Sequence, residues 1–165
     1  MILISVNRLF NYKRNDLAIM AAKKLGLQYK IIGTGEMEMV WKKLWTKTEF
    51  LGNLPHDKVL QEYKKADIFC LPSEIEGFGI ASLEAMASGL PFVNSDIPVH
   101  KEIATVSNAG LLFKSGDWQD LAVKLEMLIS DKKLYGELKS NALKFAKKYS
   151  LKRMVDETEK IYKSL

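Results

Sequence analysis

The chain has 165 residues, 47% of them hydrophobic, and a net charge of +5. This size fits one compact domain that needs neither disulfides nor a structural metal. Its single cysteine, Cys70, lies in an apolar run, which predicts a buried thiol and excludes an intrachain disulfide. Nothing resembles a signal peptide or a membrane-spanning run, so we expect a cytoplasmic protein in a reducing setting.

Short β-branched or apolar runs alternate with helical patterns, which is typical of a parallel sheet wound with crossover helices. Six strands are predicted, over Ile2–Val6, Tyr29–Ile32, Thr48–Leu51, Asp67–Leu71, Pro91–Asn94 and Gly110–Phe113. Helices are predicted between them, over Asn15–Leu25, Glu36–Trp45, His56–Lys65, Ile80–Ser88 and Val99–Thr105. The pattern predicts a doubly wound, Rossmann-like α/β fold, and no repeat or Pro-rich linker divides the single domain over residues 1–165.

The end of the chain is predicted to be a basic helical tail. Asp117 favours the N-cap position of a first helix, and a third helix is expected over Leu151–Leu165. Between them a second helix is marked by Leu134, Leu138, Phe145 and Tyr149. From Asp131 to Leu165 the chain carries ten Lys or Arg and five Asp or Glu. Such a tail suits either a peripheral contact with an anionic membrane or a solvated helical face. It lacks the interleaved aromatic residues that stack on bases, so no nucleic-acid partner is expected.

Function is to be sought in the segments that follow the strands, because ligands of open α/β sheets bind beyond the carboxyl ends of the strands. Glycine and charge concentrate in these segments, which are residues 7–13, 33–35, 52–55, 72–79 and 95–98. The most informative is Glu76-Gly77-Phe78-Gly79, which is followed by a helix bearing Glu84. Glycines there allow close approach of a ligand, and the helix N-terminus favours phosphate. The two carboxylates could accept hydrogen bonds from sugar hydroxyls.

Two cations, Arg8 and Lys13, follow the first strand five residues apart, a spacing that could clamp a diphosphate. Taken alone, a basic pair in a loop is more often a solvated surface feature, and the two glutamates could be an N-terminal helix charge and an exposed helical residue. Convergence of all four charges on one sheet edge favours a binding site. His56 and His100 have no carboxylate or cysteine at ligand spacing in the sequence and are left unassigned.

At this point a family resemblance becomes specific. Residues 72–93, from Pro72 through Glu76, Glu84 and Pro91, resemble the Glu-x7-Glu signature of group 1 glycosyltransferases, also called family 4. Arg8-Leu9 with Lys13 is similar to the family's donor-phosphate motif. Residues 32–36 and 50–54 resemble the end of its second strand and its base-contacting loop, so the similarity covers nearly the whole chain.

The resemblance implies the C-terminal, nucleotide-sugar-binding half of a GT-B fold that transfers sugar with retention. Arg8 and Lys13 would bind the donor diphosphate, and Glu76 would contact the transferred sugar. Glu84 would bind both ribose hydroxyls. The remaining donor-binding positions that it implies are Gly33, Gly35, Asn53, Leu54, Gly77, Phe78 and Gly79. No metal or other cofactor is expected, and the sequence has no Asp-x-Asp pair to hold Mg²⁺.

The sequence departs from the family pattern at several places. Asn7 and Arg14 stand where the family usually has glycine, so the phosphate loop is expected to be less tightly turned or to carry an extra cation. Residues 95–99 lack the glutamate of the family's Gly-Gly-x-Pro-Glu pattern. Family members are about twice as long, with an N-terminal acceptor-binding domain, so this chain is expected to be an excised domain or a naturally separate half.

Three functional hypotheses therefore stand. The first is the donor-binding half of a retaining glycosyltransferase, and the second is a binding subunit that becomes active only with a separate acceptor-binding polypeptide. The third, an NAD-dependent dehydrogenase, would need Gly-x-Gly-x-x-Gly after a strand. Here Gly33 and Gly35 are followed by Glu38 at the third glycine position, which disfavours it.

Overall fold

The structure, a computed structural model, describes residues 1–148, 159, 160 and 162. The predicted third tail helix lies almost entirely outside the described residues, as does Tyr149. Within the described part of the chain, no helix combines the length and the apolar character needed to cross a membrane.

Six parallel strands form one sheet in the order β3-β2-β1-β4-β5-β6. They are β1 Ile2–Val6, β2 Gln28–Ile32, β3 Thr48–Phe50, β4 Ile68–Leu71, β5 Phe92–Ser95 and β6 Gly110–Phe113. This arrangement confirms the predicted doubly wound, Rossmann-like fold, and each predicted strand is correct to within one residue at either end. The order reverses between β1 and β4, which is the topological switch point of the sheet.

Seven α-helices and a short 3-10 helix, Asn11–Lys13, accompany the strands within residues 1–148. The α-helices are α1 Asn15–Leu25, α2 Glu38–Lys42, α3 His56–Lys65, α4 Ile80–Ala87, α5 Pro98–Ser107, α6 Trp118–Ser130 and α7 Lys132–Ala146. Asp117 caps α6 as predicted, because its carboxylate accepts hydrogen bonds from the backbone N–H groups of Gln119 and Asp120 at 3.0 and 3.1 Å.

The prediction for α2, Glu36–Trp45, is wrong in length. Before the helix, the Met37 N–H donates to the Leu9 carbonyl at 3.0 Å, so this segment docks on the loop after β1. At its end, the Lys43 and Leu44 N–H groups bond carbonyls three residues back, which tightens the last turn. In contrast α5 is longer than predicted, because Pro98 is favourable at the first helical position.

The hydrophobic core lies on both faces of the sheet, as a doubly wound fold requires. One face packs on α1 and α6 and includes Leu3, Ile31 and Val93. The other packs on α3, α4 and α7 and includes Ile4, Phe69 and Phe92. Cys70 is fully buried in the first layer, and burial raises the pKa of its thiol well above the usual range, as expected for an inert thiol.

Candidate functional site

The charged segments predicted from the sequence meet at the switch point of the sheet. The segment after β1, residues 7–14, lies beside the segment after β4, residues 72–79. They are joined through the backbone, since the Glu74 N–H donates to the Tyr12 carbonyl at 2.8 Å. Strands β1 and β4 are neighbours in the sheet, and ligands of doubly wound folds bind in the crevice beyond the carboxyl ends of such a strand pair.

Lys13 and Glu76 form an ion pair at this crevice. The Lys13 Nζ lies 2.7 Å from Glu76 Oε1, although the two residues are 63 positions apart in sequence. Both side chains are 11% exposed, and the Ser73 hydroxyl donates to the same carboxylate oxygen at 2.7 Å. Among the described residues, hydrogen bonds to this carboxylate reach Oε1 alone. Glu76 Oε2 therefore remains free to accept a further hydrogen bond.

The loop after β1 keeps its shape without the two family glycines. The side-chain amides of Asn7 and Asn15 exchange two hydrogen bonds, at 2.8 and 3.2 Å, and the Tyr29 hydroxyl donates to Asn15 at 3.1 Å. Arg14 adopts the left-handed backbone conformation, with φ of 48°, that glycine usually takes. The expectation of a less tightly turned loop is therefore not borne out at Arg14, whose backbone turns as a glycine would.

Arg8 is exposed in the same segment after β1. Its guanidinium carbon lies 5.3 Å from the centre of the Phe10 ring, which in turn stacks on Tyr12. In the part of the chain that the structure describes, Arg8 has no salt bridge to a carboxylate. It therefore differs from Lys13, whose charge is already balanced by Glu76.

Gly33 and Gly35 are needed for backbone packing. A Cβ on Gly33 would lie 1.9 Å from the Asn7 carbonyl oxygen, and one on Gly35 would lie 2.5 Å from that of Leu9. The Gly33 N–H also donates to the Gly52 carbonyl at 2.8 Å, which joins the ends of β2 and β3. These contacts give both glycines a structural role at the site, and their contact with a donor stays a prediction.

The turn before α4 is open to solvent where a ligand would approach. A Cβ on Gly77 would meet no atom within 4 Å, and the Phe78 side chain is exposed. Gly79 takes the left-handed conformation, with φ of 74°, at the N-cap of α4. No side chain caps this helix end, so its first N–H groups remain available to an anion.

Glu84 lies further along α4, beside the segment after β3. Its Oε1 is 3.7 Å from Nδ1 of His56, the first residue of α3. Burial raises the pKa of the Tyr63 hydroxyl well above its usual range, and the adjacent Glu84 carboxylate raises it further. The exposed Asn53 and the partly buried Leu54 lead into α3. Glu84 therefore lies beside this segment, and within the described residues it makes no contact with Glu76.

Sequence reasoning missed two histidine environments. His56 has a carboxylate neighbour, Glu84, that its sequence spacing did not reveal. His100 is completely buried on the first turn of α5, with Nδ1 3.0 Å from the Ser95 carbonyl. A carbonyl only accepts, so Nδ1 carries the proton, and Nε2 has no hydrogen-bond partner among the described residues. The Ser95 hydroxyl also donates to the Ser73 carbonyl, which links His100 to the Glu76 turn.

His100 should make the domain less stable in mild acid. Burial lowers the pKa of His100 below the ordinary value of 6.5, so the unfolded chain binds its proton more readily than the folded chain. Stability is therefore present above pH 6.5 and is lost as pH falls below it. Urea unfolding between pH 7.5 and 5 measures this loss. His100→Asn, which keeps a donor for Ser95, should flatten the profile, whereas the exposed-site control His56→Gln should not. Equal profiles for all three proteins would contradict the assignment.

The fold and the Lys13–Glu76 pair define a doubly wound α/β domain with a candidate ligand site at the β1/β4 switch point. A sequence model described as glycosyl transferases group 1 matches residues 1–145. The chain therefore belongs to this glycosyltransferase family. Membership rules out the dehydrogenase alternative, and the loop after β1 indeed holds no glycine.

Relatives agree with this family assignment, and a solved structure agrees with the fold. An uncharacterized glycosyltransferase of Methanocaldococcus jannaschii is 30% identical over 155 residues, covering 91% of this chain and 44% of the relative. The amylovoran biosynthesis glycosyltransferase AmsK of Erwinia amylovora is 34% identical over 140 residues, covering 74% of this chain and 34% of the relative. The crystal structure of Anabaena HepE in complex with UDP-glucose matches 99% of this chain and 49% of its own, with a TM-score of 0.89 at 22% identity.

The chain spans less than half the length of these relatives. Such proteins therefore contain a further region of comparable or greater size that has no counterpart in the 165 residues. The activity of a whole glycosyltransferase is accordingly a matter of proposal for this chain.

Proposed function

We propose that this chain is the donor-binding, C-terminal half of a retaining family 4 glycosyltransferase with a GT-B fold. It binds a nucleoside diphosphate sugar, whose sugar is then transferred to an acceptor such as a glycan or lipid. The observation that carries the proposal is the contact between Lys13 and Glu76, at 2.7 Å, in the crevice of the switch point.

The chemistry of this ion pair matches that of the proposed donor. A nucleotide sugar has an anionic diphosphate bonded directly to a ring rich in hydroxyl groups. A cation and a carboxylate in contact can serve the two parts at once, with Lys13 toward the phosphate and Glu76 toward the sugar. Glu76 Oε1 already accepts from Lys13 and Ser73, so Oε2 is the oxygen offered to a sugar hydroxyl.

The other end of the donor is assigned to Glu84 and the segment after β3. Glu84 binds the ribose hydroxyls, while the backbone of Asn53 and Leu54 contacts the base. In this arrangement the diphosphate lies on the open turn from Gly77 to Gly79, at the uncapped start of α4. The contact between Glu84 and His56 supports this orientation, because it brings the ribose position next to the base-contacting segment.

In the transfer step, the bond from the sugar's anomeric carbon to the phosphate oxygen breaks, and a bond to an acceptor hydroxyl forms on the same face. The leaving nucleoside diphosphate takes the electron pair, and Arg8, Lys13 and the N-terminus of α4 stabilise its charge. These groups supply positive charge without a metal, so no metal is proposed at the site. The acceptor hydroxyl, positioned by the acceptor-binding domain, gives its proton to the oxygen of the leaving phosphate, so the products are the glycosylated acceptor and the nucleoside diphosphate.

The same donor site would serve the alternative, a binding subunit that becomes active with a separate acceptor-binding polypeptide. We also propose that the protein works in the cytoplasm, where it would meet its nucleotide-sugar donor. The exposed lysines of α7 and its C-cap, among them Lys132, Lys139 and Lys147, are proposed to face an anionic membrane.

Calorimetric titration in EDTA with UDP-glucose, GDP-mannose and ADP-glucose tests the proposal. We expect the wild type to bind at least one of these donors weakly and without metal. Glu84→Gln should weaken the donor and the matching bare nucleoside diphosphate alike, because both contain the ribose. Glu76→Gln should weaken only the donor, by roughly 1–2 kcal/mol, since the bare nucleotide has no sugar for it to contact.

The Lys13–Glu76 contact also predicts the direction in which bare-nucleotide affinity changes in Glu76→Gln. Glu76→Gln also frees Lys13 from its carboxylate, so binding of the bare nucleotide should be equal or slightly tighter. Equal weakening of the bare nucleotide by both variants would overturn the two assigned roles. Absolute dependence of wild-type binding on Mg²⁺ would overturn the metal-free site, and failure to bind any of the three donors would overturn the proposed function.

A further inference from the structure

Arg14 stands in a backbone conformation that disfavours residues with a Cβ atom. Its φ and ψ are 48° and 37°, in the left-handed region, between Lys13 and the start of α1. Asn108 is the only other described non-glycine residue with positive φ. Asparagine tolerates this region better than arginine does, so the Arg14 side chain is expected to offset the strain through its contacts.

The Arg14 guanidinium forms salt bridges with two carboxylates. Its Nε and Nη2 atoms each lie 3.1 Å from an oxygen of Asp16, in the first turn of α1. Its Nη1 donates to Glu74, in the turn that leads to Glu76. The guanidinium therefore bridges the helix that follows the phosphate loop and the turn that carries the sugar-contacting glutamate.

This bridge is one of three connections between the two segments. The second is the backbone bond from the Glu74 N–H to the Tyr12 carbonyl, at 2.8 Å. The third is the pair of Lys13 and Glu76. Of the three, only the third is made by side chains that are also assigned to the donor, so it depends on what the ligand does. The connections through Glu74 are then the ones that hold the segments together while the ligand is bound.

We propose that Arg14 is a positioning residue, which holds the Glu76 turn against the Lys13 loop through Glu74, and that it does not bind the diphosphate. This inference rests on the proposed function, since the ligand in question is the donor assigned there. The sequence alone allowed either a less tightly turned phosphate loop or an extra cation in it. The two roles predict opposite effects of removing the Glu74 side chain on donor affinity. Glu74 is a carboxylate, so it would not itself contact the phosphate.

Binding of the tightest donor among UDP-glucose, GDP-mannose and ADP-glucose distinguishes the two roles. If Arg14 positions the turn, Arg14→Gly and Glu74→Ala should each weaken binding roughly three- to tenfold, and the double variant should be no worse than either. Arg14→Lys, which keeps a cation for Glu74, should recover part of the affinity. If Arg14 bound phosphate, Glu74→Ala would leave affinity unchanged or raise it by freeing the guanidinium, and that result would overturn the inference.

Two further measurements support the test. Urea unfolding shows whether a variant has a folding defect, and amide hydrogen exchange reports on the turn without any donor. Arg14→Gly relieves the left-handed strain, so it should unfold at the same urea concentration as the wild type or a higher one. Asn108→Gly makes the matched backbone change at the end of α5 and should leave donor affinity unchanged. In both Arg14→Gly and Glu74→Ala, amide hydrogens of residues 74–79 should exchange faster than in the wild type, with no ligand present.

The exchange result separates this inference from the proposed function. Faster exchange in a protein that binds none of the donors would retain the positioning role and refute the donor site. Unchanged exchange of residues 74–79 in both variants would overturn the positioning role, whatever the donor affinities are.

Discussion

Gly33→Ala is expected to destabilise the domain by at least about 3 kcal/mol, the largest single effect that we predict. The added Cβ would lie 1.9 Å from the Asn7 carbonyl oxygen, and the backbone φ of 132° is already unfavourable for alanine. The clashing atom belongs to backbone that cannot rotate away. The Asn7 N–H donates to the Ile32 carbonyl at 3.1 Å, so relief would require the ends of β1 and β2 to separate.

Gly116→Ala is the matched control for this substitution. Gly116 also has a positive φ, of 83°, but an added Cβ would meet no atom within 4 Å. It should therefore cost only the left-handed strain, roughly 1–2 kcal/mol. Urea unfolding of the two variants and the wild type gives the comparison. Equal losses would show that the approach to Asn7 is not what requires glycine at position 33.

The fold could be predicted well because its signals are local. Apolar runs of strand length and helical spacing placed β1, β6, α1 and α3 at their observed bounds. Prediction failed at α2, where the structure is decided by contact with a distant segment, the hydrogen bond from Met37 to Leu9. A helical pattern in the sequence carries no information about such a contact.

The site could be predicted only in part, for the same reason. The rule that ligands bind beyond the strands' carboxyl ends indicated which segments to inspect, and Arg8, Lys13, Glu76 and Glu84 all lie in or just after them. Their pairing depends on strand order, which sequence spacing does not contain. The contact of Lys13 with Glu76 follows from β1 lying next to β4, across 63 residues of chain. The bridge from Arg14 to Glu74 has the same origin, and no local pattern indicated it.

Arg8→Ala is expected to weaken binding of the nucleoside diphosphate and of the donor sugar by about 1.5–3 kcal/mol, or roughly 10- to 150-fold. Of the two predicted phosphate ligands, Arg8 is the more exposed, and its charge is not paired with a carboxylate of the described residues. Lys13 must share its charge with Glu76, whereas Arg8 has an aromatic ring as its neighbour and no salt bridge within the described residues. Its fork of N–H donors also matches two phosphate oxygens at once.

Lys24 provides the control for Arg8, because it is also an exposed cation over an aromatic ring but lies far from the candidate site. Lys24, at the opposite end of α1, has its Nζ 5.8 Å from the centre of the Trp118 ring. Lys24→Ala removes the same formal charge and a similar contact, and it should change donor affinity little. Arg8→Lys should fall between wild type and Arg8→Ala, because it keeps the charge and loses the two-point contact.

Calorimetry at two salt concentrations completes the comparison, since loss of a phosphate contact should also reduce the salt dependence of binding. Circular dichroism and urea unfolding should be unchanged in Arg8→Ala, because the side chain is exposed and lies over the Phe10 ring. A folded Arg8→Ala protein with wild-type affinity would remove Arg8 from the site. In that case the diphosphate would be held by Lys13 and the start of α4, and Lys13 would have to release Glu76 completely when the donor binds.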